Sequence, residues 1–329
     1  MPVFNSVFKN ELSEYLMLRQ RAMTRQSHYQ TQNTLSDFDR HLTQLGQTEK
    51  TVTEEILNSW IKKFSKINAK KTISDKVSCL RGFLKYLNYC GYPVFFPDCP
   101  KYSDNYVPYI FSDEEVAKIF YTADKIASIN GKQKSYIRFT FPMLLRLLYC
   151  RGLRIGETLL LRVRDIDFND GTLLMKHTKY DKQRIVPMHQ TLTETLQRYC
   201  FSMRLMTKPD DYLFPADKNG KHLTWRSASA MFKKVLITAG IYIPPKAPRN
   251  RNQCLHCFRH LFTIKSFAQV ERRGRSSDNS VPFLSVYLGH FDMGGTEKYL
   301  KFSGDMFPLY TEMFEAFAAG VFPEAPREE

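Results

Sequence analysis

The sequence predicts a mainly α-helical chain of two domains, the second of which carries a small antiparallel β-sheet. Apolar residues recur at three- and four-residue steps over most of the chain, the spacing of amphipathic helices. A proline-dense stretch divides this helical pattern in two. Between Val163 and Met188 the period shifts toward that of strands. The chain has 329 residues, 43% of them apolar, which is enough material for a core in each domain.

Residues 1–92 read as three or four short helices. Val7, Phe8, Leu12, Tyr15 and Leu16 form one stripe, Ile56, Trp60, Ile61 and Phe64 a second, and Val77, Leu80, Phe83, Leu84 and Leu87 a third. Lys62, Lys63, Lys66, Lys70, Lys71, Lys76, Arg81 and Lys85 crowd the polar faces of the second half. A charge run of this kind is ordinarily a solvated face, and it becomes a grip on a polyanion only if the rest of the chain acts on one. Pro93, Pro97, Pro100 and Pro108 make residues 93–111 an extended linker.

The second domain, residues 112–329, opens at Ser112. This serine stands three residues before Glu115 at the head of Val116, Ile119 and Phe120, the pattern of a capping box. An apolar helix over residues 136–149 breaks near Gly152, leaving Arg154 at the junction with the next short helix. An Asn169-Asp170-Gly171 turn and a second turn holding Lys179 bracket two strands, at residues 172–177 and 183–188. Helical spacing returns through Leu192, Leu196 and Tyr199, then over residues 225–239. A Pro244-Pro245-Lys246-Ala247-Pro248 loop precedes the segment with His256 and Arg259. Leu309, Met313 and Phe317 mark a terminal helix.

The net charge of +15 favours a polyanionic partner, because a cationic surface gains affinity by releasing counterions condensed on nucleic acid. No apolar run reaches the roughly 20 residues that span a bilayer, and no signal pattern opens the chain, so the expectation is a cytoplasmic protein with access to DNA. Seven cysteines form no regular framework and are expected as reduced thiols. Cys254, His256, Cys257 and His260 have ligand-type spacing. A structural zinc site usually adds a second ligand pair, which is absent from the sequence, so no metal is expected.

Four separated patches carry chemistry suited to a phosphodiester. They are Gly152-Leu153-Arg154-Ile155-Gly156-Glu157, then Lys179, then His256-Cys257-Phe258-Arg259-His260, and last Leu288-Gly289-His290 with Tyr299 nine residues on. A phosphate under attack carries negative charge on its non-bridging oxygens, and the forked donors of two arginines clamp such a group. Arg154 and Arg259 both lie in apolar contexts, where an unpaired charge would be expensive. Glu157 is placed to orient Arg154. A phenol is a weak nucleophile at neutral pH and must lose its proton to a neighbour as it attacks, and imidazoles titrate in the right range to take it.

The order and spacing of these patches resemble the tyrosine recombinase family, also called the phage-integrase family, over most of residues 112 to 305. That resemblance implies a helical, SAM-like core-binding domain and a catalytic domain that together enclose DNA as a C-shaped clamp. It implies Tyr299 as the nucleophile that forms a 3′-phosphotyrosyl ester, Arg154 and Arg259 as the phosphate clamp, and Lys179 as the proton donor to the departing 5′ oxygen. Lys176 and Lys182 are close rivals of Lys179. His256 and His290 are expected to bind the phosphate or relay protons, with His260 as a packing histidine behind them. Lys62, Lys66, Lys70, Lys71, Lys76, Arg81 and Lys85 become the expected DNA-backbone contacts.

The expected function is then site-specific recombination without metal or nucleotide, integrating or excising a mobile element. The expected assembly is four protomers on two double-stranded DNA sites, with or without partner recombinases, with the terminal helix docked on a neighbour and no membrane involved. A type IB topoisomerase, a hairpin-forming resolvase and a non-cutting accessory DNA-binding protein are the alternative readings. Two features depart from the family pattern: Arg151 stands where a small polar residue is usual, and a cationic insertion at 271–275 stretches the interval from Arg259 to His290. The 281–290 stretch looks like transposon-borne relatives.

Overall fold

The computed structural model describes residues 2–21, 25–65, 68–102, 108–128, 136–176, 183–245, 252–290, 293–297 and 299. The chain divides into two compact units, Met1–Tyr106 and Val107–Glu329. Among the described residues it is mostly helical, with one three-stranded antiparallel sheet.

The first unit holds α1 (Lys9–Gln20), α2 (Arg25–Gln44), α3 (Glu54–Ser65) and α4 (Lys70–Tyr89). The three stripes read from the sequence bury together: Phe8, Leu12, Trp60, Val77, Phe83 and Leu87 are fully enclosed. A fourth stripe, Leu35, Phe38 and Leu42 on α2, completes this core. It lies in a segment rich in Gln, Ser, Thr and Asn, so only its three- and four-residue spacing marks it. Two of the four helices run 20 residues, longer than the short helices expected. Asp39 of α2 accepts from the backbone N–H of Asn5 at 3.0 Å and of Ser6 at 2.9 Å, tying down the approach to α1.

Parts of the proline-dense stretch pack against the cores. Val94 pairs with Val52 and packs with Phe96 on the first core, while Phe111 is buried in the second. Compositional polarity shows where a chain leaves one helix, but packing decides where a domain ends.

The second unit comprises α5 (Asp113–Ser128), α6 (Tyr136–Arg151), α7 (Ile155–Thr158), β1 (Ile166–Asp167), β2 (Thr172–Met175), β3 (Arg184–Pro187), α8 (Gln190–Ser202), α9 (Trp225–Thr238), α10 (Cys257–Arg272), α11 (Val281–Leu288) and α12 (Gly294–Glu297). Phe258 of α10 anchors its core against Phe111, Phe120, Tyr149 and Phe232. The sheet runs β1-β2-β3, with Ile166 opposite Leu173, and Leu173 opposite Val186. The pair Met175 and Arg184 stands at the far end of the hairpin, so the sheet positions Arg184 where the chain turns.

Ser112 and Glu115 form the reciprocal cap: the Glu115 N–H donates to Ser112 Oγ at 3.1 Å, and the Ser112 N–H donates to Glu115 Oε2 at 2.9 Å. Ser112→Ala is expected to lower stability by about 1 kcal/mol, read from denaturant midpoints, with no change in the denaturant slope.

Gly152 ends α6 at φ +59°, a left-handed conformation, and a Cβ there would fall 2.5 Å from the Phe262 ring of α10. Glycine is required for both reasons. The close approach brings the α6–α7 junction directly onto the helix that carries Arg259.

Among the described residues no helix is long and apolar enough to cross a membrane, and no cluster of His, Cys, Asp and Glu has the makings of a metal site. None of the seven cysteines forms a disulfide. The 271–275 stretch includes the last turn of α10, and its buried Glu271 accepts a 2.6 Å hydrogen bond from Ser277. The terminal helix expected around Leu309, Met313 and Phe317 lies outside the described residues.

Candidate active site

The site is assembled on the C-terminal end of α11. Gly289 follows it at φ +68°, and His290 N–H turns back to Ser285 O at 2.9 Å. This left-handed cap leaves the carbonyls of Leu288 and Gly289 to find donors elsewhere. Arg259 Nη2 donates to Leu288 O at 2.8 Å, and Arg154 Nη2 donates to Gly289 O at 2.7 Å. Two guanidinium groups more than 100 residues apart in the chain thus meet on consecutive peptide oxygens. The negative end of a helix dipole favours cations there by about 0.3–1 kcal/mol each.

Arg154 sits at the N-cap of α7, and 27% of its side chain is exposed. Arg259 is 1% exposed. Its Nη1 donates to Gly152 O at 2.8 Å, so it also clamps the α6–α7 junction. Burial presses its pKa down to about 9, with the charge of Arg154 adding to the effect and Glu157 opposing it. It stays cationic at neutral pH, because a free guanidinium starts above about 12. Glu157, itself buried, donates nothing and accepts twice: from Arg154 Nη1 at 2.8 Å and from Arg184 Nη2 at 2.7 Å.

Tyr299 is 6% exposed and packs with Ile264, Phe267 and Val281. Its hydroxyl lies 2.5 Å from His260 Nδ1. Burial pushes the phenol pKa up, partly offset by the positive charges of Arg259 and Arg154. The hydroxyl is therefore protonated at neutral pH and shares a hydrogen bond with the His260 imidazole. The sequence reading put His260 behind the site as a packing residue. In the structure it is a histidine in contact with the phenol, because residues 256 and 260 share one face of α10 and the second is turned toward Tyr299. His256, exposed before the first turn of α10, stands edge-on to the His260 ring with centroids 4.7 Å apart.

His290 lies beside the same turn. Ser285 Oγ donates to Thr296 Oγ1 at 2.7 Å, and Thr296 Oγ1 is 2.6 Å from His290 Nδ1. These hydrogen bonds tie the His290 ring, through Nδ1, to α11 and α12.

Lys179 and its rival Lys182 lie outside the described residues. Lys176 is tied to the buried carboxylate of Asp165 at 2.5 Å, an ion pair that fixes the end of β2 to the segment before β1. In the first unit Lys62, Lys70, Lys71 and Lys85 are exposed, while Lys66 lies outside the described residues. Lys76 pairs with Asp37 at 2.9 Å and lies over the Phe64 ring, and Arg81 donates to Pro97 O. These two are engaged inside the unit and present less of their charge to solvent.

The residue that sequence reasoning undervalued is Arg184. It lies in the second strand of the hairpin and reaches Glu157 Oε2 at 2.7 Å and Tyr287 O at 3.0 Å. No pattern in the sequence marks it, because its place opposite Met175 meets the α11 turn only in the folded chain.

Convergent guanidinium groups beside a phenol in contact with an imidazole form an arrangement suited to nucleophilic attack on a phosphorus centre. The chain belongs to the phage integrase family, whose model matches residues 111–303. The putative integrase/recombinase y4rE of Sinorhizobium fredii is 28% identical over 209 residues, 62% of this chain and 63% of that protein. The matched region thus spans less than two thirds of that relative. A tyrosine recombinase XerD from Rickettsia bellii is 24% identical over 305 residues, covering 88% of this chain and 92% of the relative. Among solved structures, a XerH site-specific recombinase bound to palindromic difH substrate in a post-cleavage complex shares the fold with a TM-score of 0.67 at 17% identity, covering 93% of this chain and 95% of the other.

Proposed function

We propose that this chain is a site-specific DNA recombinase of the integrase or transposase type. The observation that carries the proposal is the meeting of Arg154 and Arg259 on the Leu288–Gly289 turn, in the same unit that pairs Tyr299 with His260. Tyr299 Oη attacks the scissile phosphorus and its proton passes to His260. The new Oη–P bond replaces the bond to the 5′ oxygen, which leaves as a hydroxyl after taking a proton from Lys179. The phosphotyrosyl ester retains the energy of the broken bond, so the reverse attack by a 5′ hydroxyl reseals DNA without a nucleotide. To reach a phosphate, the phenol must leave the cluster of Ile264, Phe267 and Val281.

The exposed lysines Lys62, Lys70, Lys71 and Lys85, with Lys66, supply backbone contacts to double-stranded DNA. Four protomers bring two sites together, integrating or excising a mobile element in the cytoplasm. The solved relatives bound to DNA, the XerH complex and the Tn1549 transposon integrase with circular intermediate DNA, support this reading.

Incubation of the full chain with a pool of nicked duplexes, denaturation and sequencing of the trapped fragments tests it. The expected result is a covalent protein–DNA adduct at one sequence, insensitive to chelator and formed without ATP. Absence of any adduct across candidate mobile-element ends would reject the enzymatic reading, and relaxation of plasmids lacking the trapped sequence would favour a topoisomerase.

A further inference from the structure

We propose that Arg184 is a third guanidinium of the phosphate site, donating from Nη1 to the reacting diester while its other nitrogens hold the pocket in shape. The inference rests on the recombinase reading above. The Arg184 side chain is nine-tenths buried. Nε is fixed on Tyr287 O and Nη2 on Glu157 Oε2. Nη1 is buried and has no hydrogen-bond partner among the described residues. A dry, unmatched donor on a cation opposes folding and is retained where another ligand takes it up.

The location of that donor identifies the ligand. A Cβ built on Gly289 would lie 2.9 Å from Arg184 Nη1 and 3.4 Å from Arg154 Nη1, so both guanidinium groups flank the one residue without a side chain to obstruct them. Glu157 gives one oxygen to each. Among the described residues around this turn, Arg154, Arg184 and Arg259 face one carboxylate, that of Glu157, an excess of two positive charges. A phosphodiester brings one negative charge, and a second develops as Tyr299 attacks. The excess therefore matches the transition state better than the ground state, which is the condition for catalysis by charge.

The test uses the duplex identified by trapping, made with an ordinary phosphodiester or a neutral methylphosphonate at the scissile position, and single-turnover cleavage by wild type, Arg184→Met and Arg184→Lys. On the phosphodiester, Arg184→Met is expected to cleave about 100-fold more slowly, with Arg184→Lys recovering about tenfold of that. Non-covalent DNA affinity should stay within about threefold, since one buried contact contributes little beside the surface lysines. On the methylphosphonate the Arg184→Met penalty should shrink below about tenfold, because less charge develops for the guanidinium to meet. If Arg184→Met does not fold, Arg184→Lys carries the comparison, with a loss of about tenfold on the diester that disappears on the neutral substrate. Equal losses on both substrates, or none on either, would overturn the assignment. An inert wild type would instead sink the recombinase reading, and this proposal with it.

Discussion

Tyr299→Phe is expected to form no covalent adduct, with cleavage of a nicked duplex falling by at least about 10⁴-fold, the scale of deleting a covalent nucleophile. DNA binding should be unchanged, because the ring faces Ile264, Phe267 and Val281 rather than solvent. Persistence of the adduct in the variant would remove Tyr299 from its role. The same phenol sets two pH effects. Its raised pKa keeps the proton on oxygen through neutrality, so attack needs a neutral imidazole as acceptor. Wild-type cleavage should therefore climb with pH across the range in which an imidazole deprotonates, between about pH 5 and 8, and then level. A flat profile there would exclude an imidazole acceptor. Stability should show the opposite trend at higher pH. Above about 10 the unfolded phenol ionises while the folded one does not, so the unfolded state holds fewer protons and stability falls as pH rises. Tyr299→Phe should remove its share of that alkaline decline in thermal melts.

Arg259→Lys is expected to reduce cleavage by about 10³-fold and stability by about 2–4 kcal/mol, because one ammonium cannot span two fixed acceptors and leaves a buried carbonyl unpaired. The structural loss follows from geometry: Arg259 bridges Gly152 O and Leu288 O from a position that is 1% exposed. Arg154→Lys makes the useful contrast. Arg154 is 27% exposed and water can replace part of its contacts, so the catalytic loss should be similar while the stability loss is nearer about 1 kcal/mol. Single-turnover cleavage set beside denaturant midpoints separates the two effects. Equal stability losses for both variants would contradict the assigned difference in burial.

Much of this site was legible before any coordinates. Arg154, Arg259, His290 and Tyr299 stand out because short patterns such as Leu288-Gly289-His290 keep their spacing, and Ser112 announced its helix through Glu115 three residues on. What escaped the sequence was relational. The α2 stripe of Leu35, Phe38 and Leu42 is diluted by polar neighbours, so a sparse apolar face there looks like a loop until α4 covers it. His260 looked like support because two histidines one turn apart are equivalent in sequence, and only the position of Tyr299 distinguishes them. Arg184 gave still less signal: an arginine at the end of a short strand on a basic chain is ordinarily solvated, and its burial against Glu157 depends on how the hairpin meets α11.

The peptide oxygens of Leu288 and Gly289 give the resting pocket an occupant of its own. They are stand-ins for the diester, weaker because each bears only a partial charge, and tethered so that they return whenever the strand departs. On the recombinase reading, an arriving DNA backbone must evict them, at a cost common to the intact strand and to the doubly charged species formed during attack. On the same reading, a resealed duplex would meet two internal competitors, which favours its release.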